Sequence, residues 1–446
     1  MNSYTARRLP VQCGPAGWNA LLAAQPAARP LTEDSSADFV IVGAGFAGLS
    51  AARRLTQLEP NARVAILEAG RIAEGSAGRN SGFMIDLPHD VASDNYLSAG
   101  DDRLVTTLNR QAISFAGDAV QEYGIRPGYF DARGKINGAA SASAQAHNEN
   151  YGRHLAALGE RYEMLDGAQM AELTGSRYYV GGLYTPGTVL VQPAGYVRGL
   201  AAGLAARGVE IFEDSPVMAF TREGTSWRVK APGGSISTAR VILTVNGHLE
   251  SFGFERGRLM HVFLFAVMTP ELDETARAKL GGAPHWGITP SDPMGTTVRR
   301  IDAGQGGNRI VTRSCATLRP NTRPTEGDLA RAVSVMREKF DQRFPQLAGL
   351  AMEYAWAGLL CLTRNGASIM REVADGVFSG CAQNGLGVAR GTLTGIGAAE
   401  LACGQQSAIT RYFSAQPRPP RLPPQPLQEI GGNAILRWKE WQARAE

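Results

Sequence analysis

The chain has 446 residues, enough for two domains around a substantial shared core. Its composition, 44% hydrophobic and 19% charged, is globular, and the net charge of +4 arises from interspersed acids and bases, which excludes a nucleic-acid footprint. No apolar run reaches the roughly 18 residues of a membrane span, and five cysteines without metal-type spacing suit a reducing, cytoplasmic setting and give no metal site.

Residues 1–36 read as a surface extension, because Pro10, Pro15, Pro26 and Pro30 prevent a long helix and Trp18 is the residue suited to pin it to the body. Gln25, Pro26, Glu33 and Asp34 interrupt the alanine-rich patch, so no signal peptide is expected. Residues 38–70 are the most informative stretch. An apolar strand at 39–42 enters Gly43-x-Gly45-x-x-Gly48, helical periodicity follows through Leu49, Ala52 and Leu55, and a second strand at 64–67 ends in Glu68. Gly43 permits the turn, Gly45 lets a pyrophosphate approach the backbone, and Gly48 allows close helix–strand packing. Glu68, 20 residues beyond Gly48, is placed to accept both hydroxyls of an adenosine ribose. The coincidence of strand, turn, helix, strand and acid predicts a dinucleotide site.

The loop 75–83, which contains Arg79, Asn80, Ser81 and Gly82, is too rich in glycine and small polar residues to be core. It follows a strand where open sheets present ligand-contacting loops. Helices are predicted over 101–123, about 139–158 and 193–207, with short strands at 188–191, 209–212, 217–221, 227–230 and 241–245. The last of these strands ends at Asn246-Gly247, a return to a glycine turn that would complete the cofactor site. Strands at 262–268, 296–301 and 308–312 and a helix over 326–340 have the pattern of an inserted antiparallel domain. Glycine-rich segments at 356–366 and 377–387 precede a small-residue helix to Cys403. After a proline linker, Ile430, Leu436, Trp438 and Trp441 mark an amphipathic helix suited to docking on its own chain or on another subunit.

The order of these pieces, from the glycine fingerprint with Glu68 through 78–82, Val217, 244–247, Thr363-x-Asn365 and Gly385-x-Gly387, resembles the FAD-dependent D-amino-acid oxidase superfamily. Within it the chain is most similar to the branch of glycine and sarcosine oxidases, L-pipecolate oxidase and gamma-glutamylputrescine oxidase, over about 37–403. The resemblance implies an α/β fold in which a Rossmann-like FAD-binding domain (37–95, 190–250, 356–410) is interleaved with an antiparallel-sheet substrate domain (96–189, 251–355), with 411–446 as linker and helix.

It further implies that Gly43, Gly45 and Gly48 hold the pyrophosphate and Glu68 the ribose. Arg79, Asn80, Ser81 and Gly82 would lie along the flavin and Val217 near the adenine, while Gly385 and Gly387 present N–H groups to the flavin. Arg299 would grip a substrate carboxylate, with Arg300 on the opposite strand face as a solvated charge. Gly358 stands where relatives with tethered flavin place a cysteine, so FAD is expected to be noncovalent. Asn384 and Leu386 depart from the family's glycine-histidine-glycine, and Asn365 replaces a common aspartate.

The implied activity is oxidation of the C–N bond of a primary or secondary amine to an imine that hydrolyses, with oxygen or another acceptor reoxidising the flavin. The alternatives are a flavoprotein subunit passing electrons to a partner and a flavin hydroxylase. His261 stands either as a catalytic group facing the flavin or as a hydrogen-bonded core residue, and Phe263 and Phe265 as pocket wall or core. Asn80 is read either as a contact to flavin and substrate or as a turn-stabilising side chain.

Overall fold

A computed structural model describes residues 2–88, 101–292 and 294–446; the expected domain boundary at 95/96 lies outside them. The nucleotide unit forms as its pattern requires. Phe39–Val42 and Val64–Leu67 are buried on both faces and pair in parallel, joined by the helix Phe46–Leu58. They sit inside a six-stranded sheet in the order Glu210–Phe212, Val64–Leu67, Phe39–Val42, Arg240–Leu243, Val377–Cys381, Ile369–Ala374, parallel except for the last strand.

One face of this sheet carries Phe46–Leu58 together with the helix Gly387–Ala402, more than 300 residues later in sequence. The two helices approach closely because glycine lies between them. A methyl group on Gly395 would stand 2.1 Å from the Ala47 carbonyl oxygen, and one on Gly391 would stand 3.2 Å from Cβ of Phe46. The other face is covered by a five-stranded sheet whose Phe220, Trp227, Val229 and Ile236 pack on Val40, Val42, Val241 and Leu243.

The second large sheet has eight strands, in the order Tyr354–Leu362, Met260–Met268, Arg309–Leu318, Thr297–Ile301, Trp286–Pro290, Lys135–Ala139, Gly181–Thr185, Glu163–Asp166. It is antiparallel except where Trp286–Pro290 meets Lys135–Ala139. Tyr354–Leu362 pairs along its whole length with Met260–Met268, so the crossing back to the nucleotide sheet comes after Leu362 and not at 356.

The N-terminal segment is woven into the fold and is not a surface extension. Ser3–Thr5 and Ser35–Ser36 are edge strands of the five-stranded sheet, and Trp18 is fully buried. Trp18 donates from Nε1 to the Asn80 carbonyl at 2.9 Å, so it does pin the segment to the body.

The helix contact gives the first test. Gly395→Ala should overpack the contact and cost about 1–3 kcal/mol, measured as a lower denaturant midpoint at unchanged slope.

Candidate functional site

A cavity of about 310 Å³ opens between the two large sheets, over the carboxyl ends of the nucleotide-sheet strands. That is where an open α/β sheet binds ligands. Two helices begin at its wall. Phe46–Leu58 starts at Gly45 and Gly387–Ala402 at Leu386, neither with a side-chain cap, which leaves the first N–H groups of both for an anionic or electron-rich ligand.

The glycine turn satisfies the steric demands of its pattern. Gly43 has φ +100°, and a methyl on Gly48 would fall 1.8 Å from the Gly43 carbonyl oxygen. Thr244 Oγ1 donates to the Val42 carbonyl at 2.8 Å and ties the turn to the neighbouring strand. Glu68 lines the same cavity. Its Oε2 accepts from the Ala44 N–H at 2.7 Å and its Oε1 from the Gly70 N–H at 3.2 Å, while burial pushes its carboxyl above the usual range. This is a dinucleotide cradle: glycines where backbone must approach, an uncapped helix start and an acid at the far strand. An FAD-sized ligand fits these residues.

Of the predicted site residues, Gly43, Gly45, Glu68, Arg79, Asn80, Ser81, Val217, Asn246, Gly385 and Gly387 line the cavity. Gly48 and Gly82 lie behind it as packing positions. A methyl on Gly82 would meet Arg299 Nη1 at 2.2 Å and the Val191 carbonyl oxygen at 2.3 Å. Asn80 has a turn-stabilising role here, accepting from the Gly82 N–H at 2.8 Å and donating to the Ala77 carbonyl at 2.6 Å. Arg79 is buried with its guanidinium on the Cys13, Gly14, Ala357 and Glu74 carbonyls, so it braces the loop.

Three expectations are corrected. Arg299 does not reach the cavity. It is 1% exposed, its Nη1 donates to the Val191, Gly82 and Ser81 carbonyls and its Nη2 to Gln305, and its guanidinium lies over the rings of Trp18 and Phe83. A guanidinium with those acceptors has no fork left for a substrate. Arg300 is not a solvated charge: it is buried and donates to the Gly281 carbonyl.

His261 is also absent from the cavity lining. It is 1% exposed, its Nε2 shares a 2.9 Å hydrogen bond with the Gly247 carbonyl, and burial holds its pKa below the usual imidazole range. That is the core-histidine alternative. The strand keeps its two-residue period, with Phe263 and Phe265 in one core cluster and Val262 and Leu264 in another, and the bulge opposite Leu264 and Phe265 lies in Arg309–Leu318, where Cys315 is the extra residue at φ +62°. Leu264, Phe265 and Ala266 line the cavity, and Phe263 does not.

Two features escaped the sequence reading. Arg313, on Arg309–Leu318 and paired in register with Ala266, lines the cavity without a hydrogen-bond or ion-pair partner among the described residues. Burial pushes its pKa down to about 10, so it stays a cation at neutral pH. The predicted strand ended at Thr312, one residue short, and neighbouring Arg309 gave no sign of which arginine faces inward.

The second feature is the N-terminal segment. Ala6 and Arg8 to Gln12 form one wall of the cavity. One end of this span is fixed by the Ala6 N–H to the Met218 carbonyl and the Arg8 N–H to Ser251, the other by pairing of Cys13 with Ala357.

The fold and the cavity define a nucleotide-dependent oxidoreductase with a separate substrate sheet. Residues 38–401 match the family model described as FAD dependent oxidoreductase, and the chain belongs to that family and is an FAD-dependent enzyme. It is 25% identical over 399 residues to a probable oxidoreductase, OrdL, of Haemophilus influenzae, covering 86% of both chains. It is 26% identical over 226 residues to gamma-glutamylputrescine oxidoreductase of Escherichia coli, covering 49% of this chain and 51% of that one. Among solved structures, glycine oxidase from Geobacillus kaustophilus superposes with a TM-score of 0.68 at 18% identity, covering 85% of this chain and 96% of the other.

Glu68 gives a prediction with two signs. Because its carboxyl is raised by burial, the folded state holds its proton to higher pH than the unfolded state. Its charge therefore lowers the stability of cofactor-free protein as pH rises above the ordinary carboxylate range. Glu68→Gln should make the cofactor-free protein more stable at pH 7 in denaturant melts, yet weaken FAD about tenfold or more by fluorescence titration, the loss of one charge-assisted bond.

Proposed function

We propose that this enzyme oxidises the C–N bond of a primary or secondary amine that bears a carboxylate, with Arg313 as the anion anchor. The observation that carries the reading is the guanidinium of Arg313, without a partner among the described residues, beside Leu264, Phe265 and Ala266 in a mainly apolar cavity that also holds the dinucleotide cradle. A planar cation with free donors fits a carboxylate, and burial among apolar groups strengthens that pairing. The names of the glycine oxidase and gamma-glutamylputrescine oxidoreductase relatives support a nitrogen-bearing substrate.

FAD, when bound, supplies the two-electron acceptance. The protein's part is position and exclusion of water. Gly43 and Gly45 would admit the pyrophosphate to the first helix start, which Gly48 lets pack closely on its strand, Glu68 would take the ribose, and Val217 and Asn246 would flank the nucleoside end. Arg79, Asn80, Ser81 and Gly82 form the braced loop along the ring, and Gly385 and Gly387 open the second helix start toward it. The positive end of that helix favours electron density arriving on the ring.

Among the described residues no cysteine lines the cavity, and a methyl on Gly358 would already stand 3.3 Å from Arg79, which supports a cofactor held without a thioether. Five free cysteines support a reducing compartment such as the cytoplasm, and among the described residues no helix is long and apolar enough to cross a membrane.

The purified protein should be yellow, and acid precipitation should release the colour into the supernatant. Anaerobic mixing with a panel of amino acids, N-alkyl amino acids and polyamine conjugates should bleach the flavin with at least one of them. Bleaching only by 2-hydroxy acids would refute C–N oxidation, and peroxide release in air would separate an oxidase from a subunit that passes its electrons to a partner. For the carboxylated substrate, Arg313→Ala should raise KM about 100-fold with the flavin spectrum unchanged, as expected for loss of a desolvated charge pair. Arg299→Ala should instead melt earlier and retain less flavin, since it leaves buried carbonyls each costing about 1–3 kcal/mol.

A further inference from the structure

The helix Leu427–Gln442 is amphipathic but mounted with its polar side inward. The strand Arg309–Leu318 is paired on one flank only as far as Arg313, which leaves the edge beyond it open. The helix covers that edge with side chains that serve its backbone. Glu440 accepts from the Ala316 N–H at 2.7 Å, Asn433 accepts from the Leu318 N–H at 2.9 Å and donates to its carbonyl at 3.0 Å, and Arg437 donates to the Ala316 carbonyl at 2.8 Å. Arg331 on the helix Glu326–Arg343 pairs with Glu440, and Arg319 pairs with Glu429. These bonds satisfy groups that would otherwise template another strand.

The consequence lies on the outer side. At 100° per residue, Leu427, Ile430, Ile435, Trp438 and Trp441 fall on one stripe facing solvent, 65, 66, 57, 56 and 59% exposed. Scattered exposed apolar residues are ordinary, whereas a continuous stripe containing two tryptophans on a firmly seated helix is an interface signature.

We infer that this stripe is the contact surface for a second copy of the same chain, in an antiparallel two-fold helix pair. The spacing is self-complementary. Ile430 and Trp438 stand four residues on either side of Ala434, and Leu427 and Trp441 stand seven. A two-fold axis at Ala434 therefore sets each tryptophan against a branched aliphatic residue of the partner, with exposed Gly431 and Ala434 allowing close approach at the centre. At the stated exposures the five side chains present on the order of 600 Å² per copy, so a pair buries about 1,200 Å², the lower end of what a stable interface needs. A lone helix in water has no use for such a stripe. This inference does not rest on the substrate reading above, because none of its residues lines the cavity.

Light scattering on the full-length FAD-bound protein should give twice the 47.5 kDa chain mass at micromolar concentration. Trp438→Glu should raise the dimer dissociation constant about 30-fold or more, the loss expected for one central aromatic, with the flavin spectrum unchanged as the control for folding. Ala434→Cys should form a disulfide-linked dimer under mild oxidation that wild type does not form and that Trp438→Glu suppresses. A monomer at tens of micromolar, an undiminished Trp438→Glu dimer, or a monomer that sediments with anionic phospholipid vesicles through Trp438 would each overturn the assignment.

Discussion

The architecture depends on how closely two helices from opposite ends of the chain approach each other. Gly395 and Gly391 press the helix Gly387–Ala402 against Ala47 and Phe46, at the start of the helix that follows the glycine turn. Side chains at those positions would hold the axes apart, and the two helix starts would no longer open on one cavity. The adjacent strands Phe39–Val42, Arg240–Leu243 and Val377–Cys381 follow the same rule, since each comes from a different third of the sequence and each ends at the cavity. A site assembled from segments so far apart requires the sheet to be complete first.

A second constraint is the fixing of the loop at 79–82. Its carbonyls point away from the cavity into a set of donors: Trp356 Nε1 to Arg79, Trp18 Nε1 to Asn80, and Arg299 to Ser81 and Gly82. Each of these donors is a tryptophan ring or a guanidinium, and Trp18 brings the N-terminal segment into the same cluster. Arg299 is tolerable as a buried cation because several carbonyl dipoles and two aromatic faces surround it, even though burial still pushes its pKa down to about 9. A loop held this way presents its cavity side without needing the ligand to order it, which is the arrangement a positioning site requires.

How much was legible in the sequence follows from the range of the interactions involved. The strand–turn–helix unit at 39–58, the acid at Glu68 and the helix after Gly387 are specified by neighbours within about a dozen residues, and periodicity with glycine spacing reveals them. Arg299 and Arg313 are not separable on that basis. Both are arginines on strands of the same sheet, and what distinguishes them is that Gln305 and the carbonyls of Ser81, Gly82 and Val191 surround one, while the other lines the cavity with Leu264, Phe265 and Ala266, two residues before the bulge at Cys315. The bulge falls at Cys315, a non-glycine residue at positive φ, so no glycine or proline announces it. The N-terminal segment misled for a related reason, since its prolines rule out a helix but permit the short edge strands and extended wall it forms.

The C-terminal helix is an amphipathic pattern whose polarity the sequence leaves open. An amphipathic sequence is ordinarily placed apolar side down, because burial of that side drives docking. Here a second demand competes. The free edge of Arg309–Leu318 offers N–H and C=O groups whose desolvation without partners would each cost about 1–3 kcal/mol, and only the polar side of the helix can meet them. Leu436 alone turns inward among Leu318, Val262 and Met260, so the apolar contribution to seating is small beside the hydrogen bonds. With backbone satisfaction fixing the inner side, the apolar stripe is left outward. Its cover then has to come from outside the chain, and a surface that is its own complement about Ala434 is met most simply by another copy of itself.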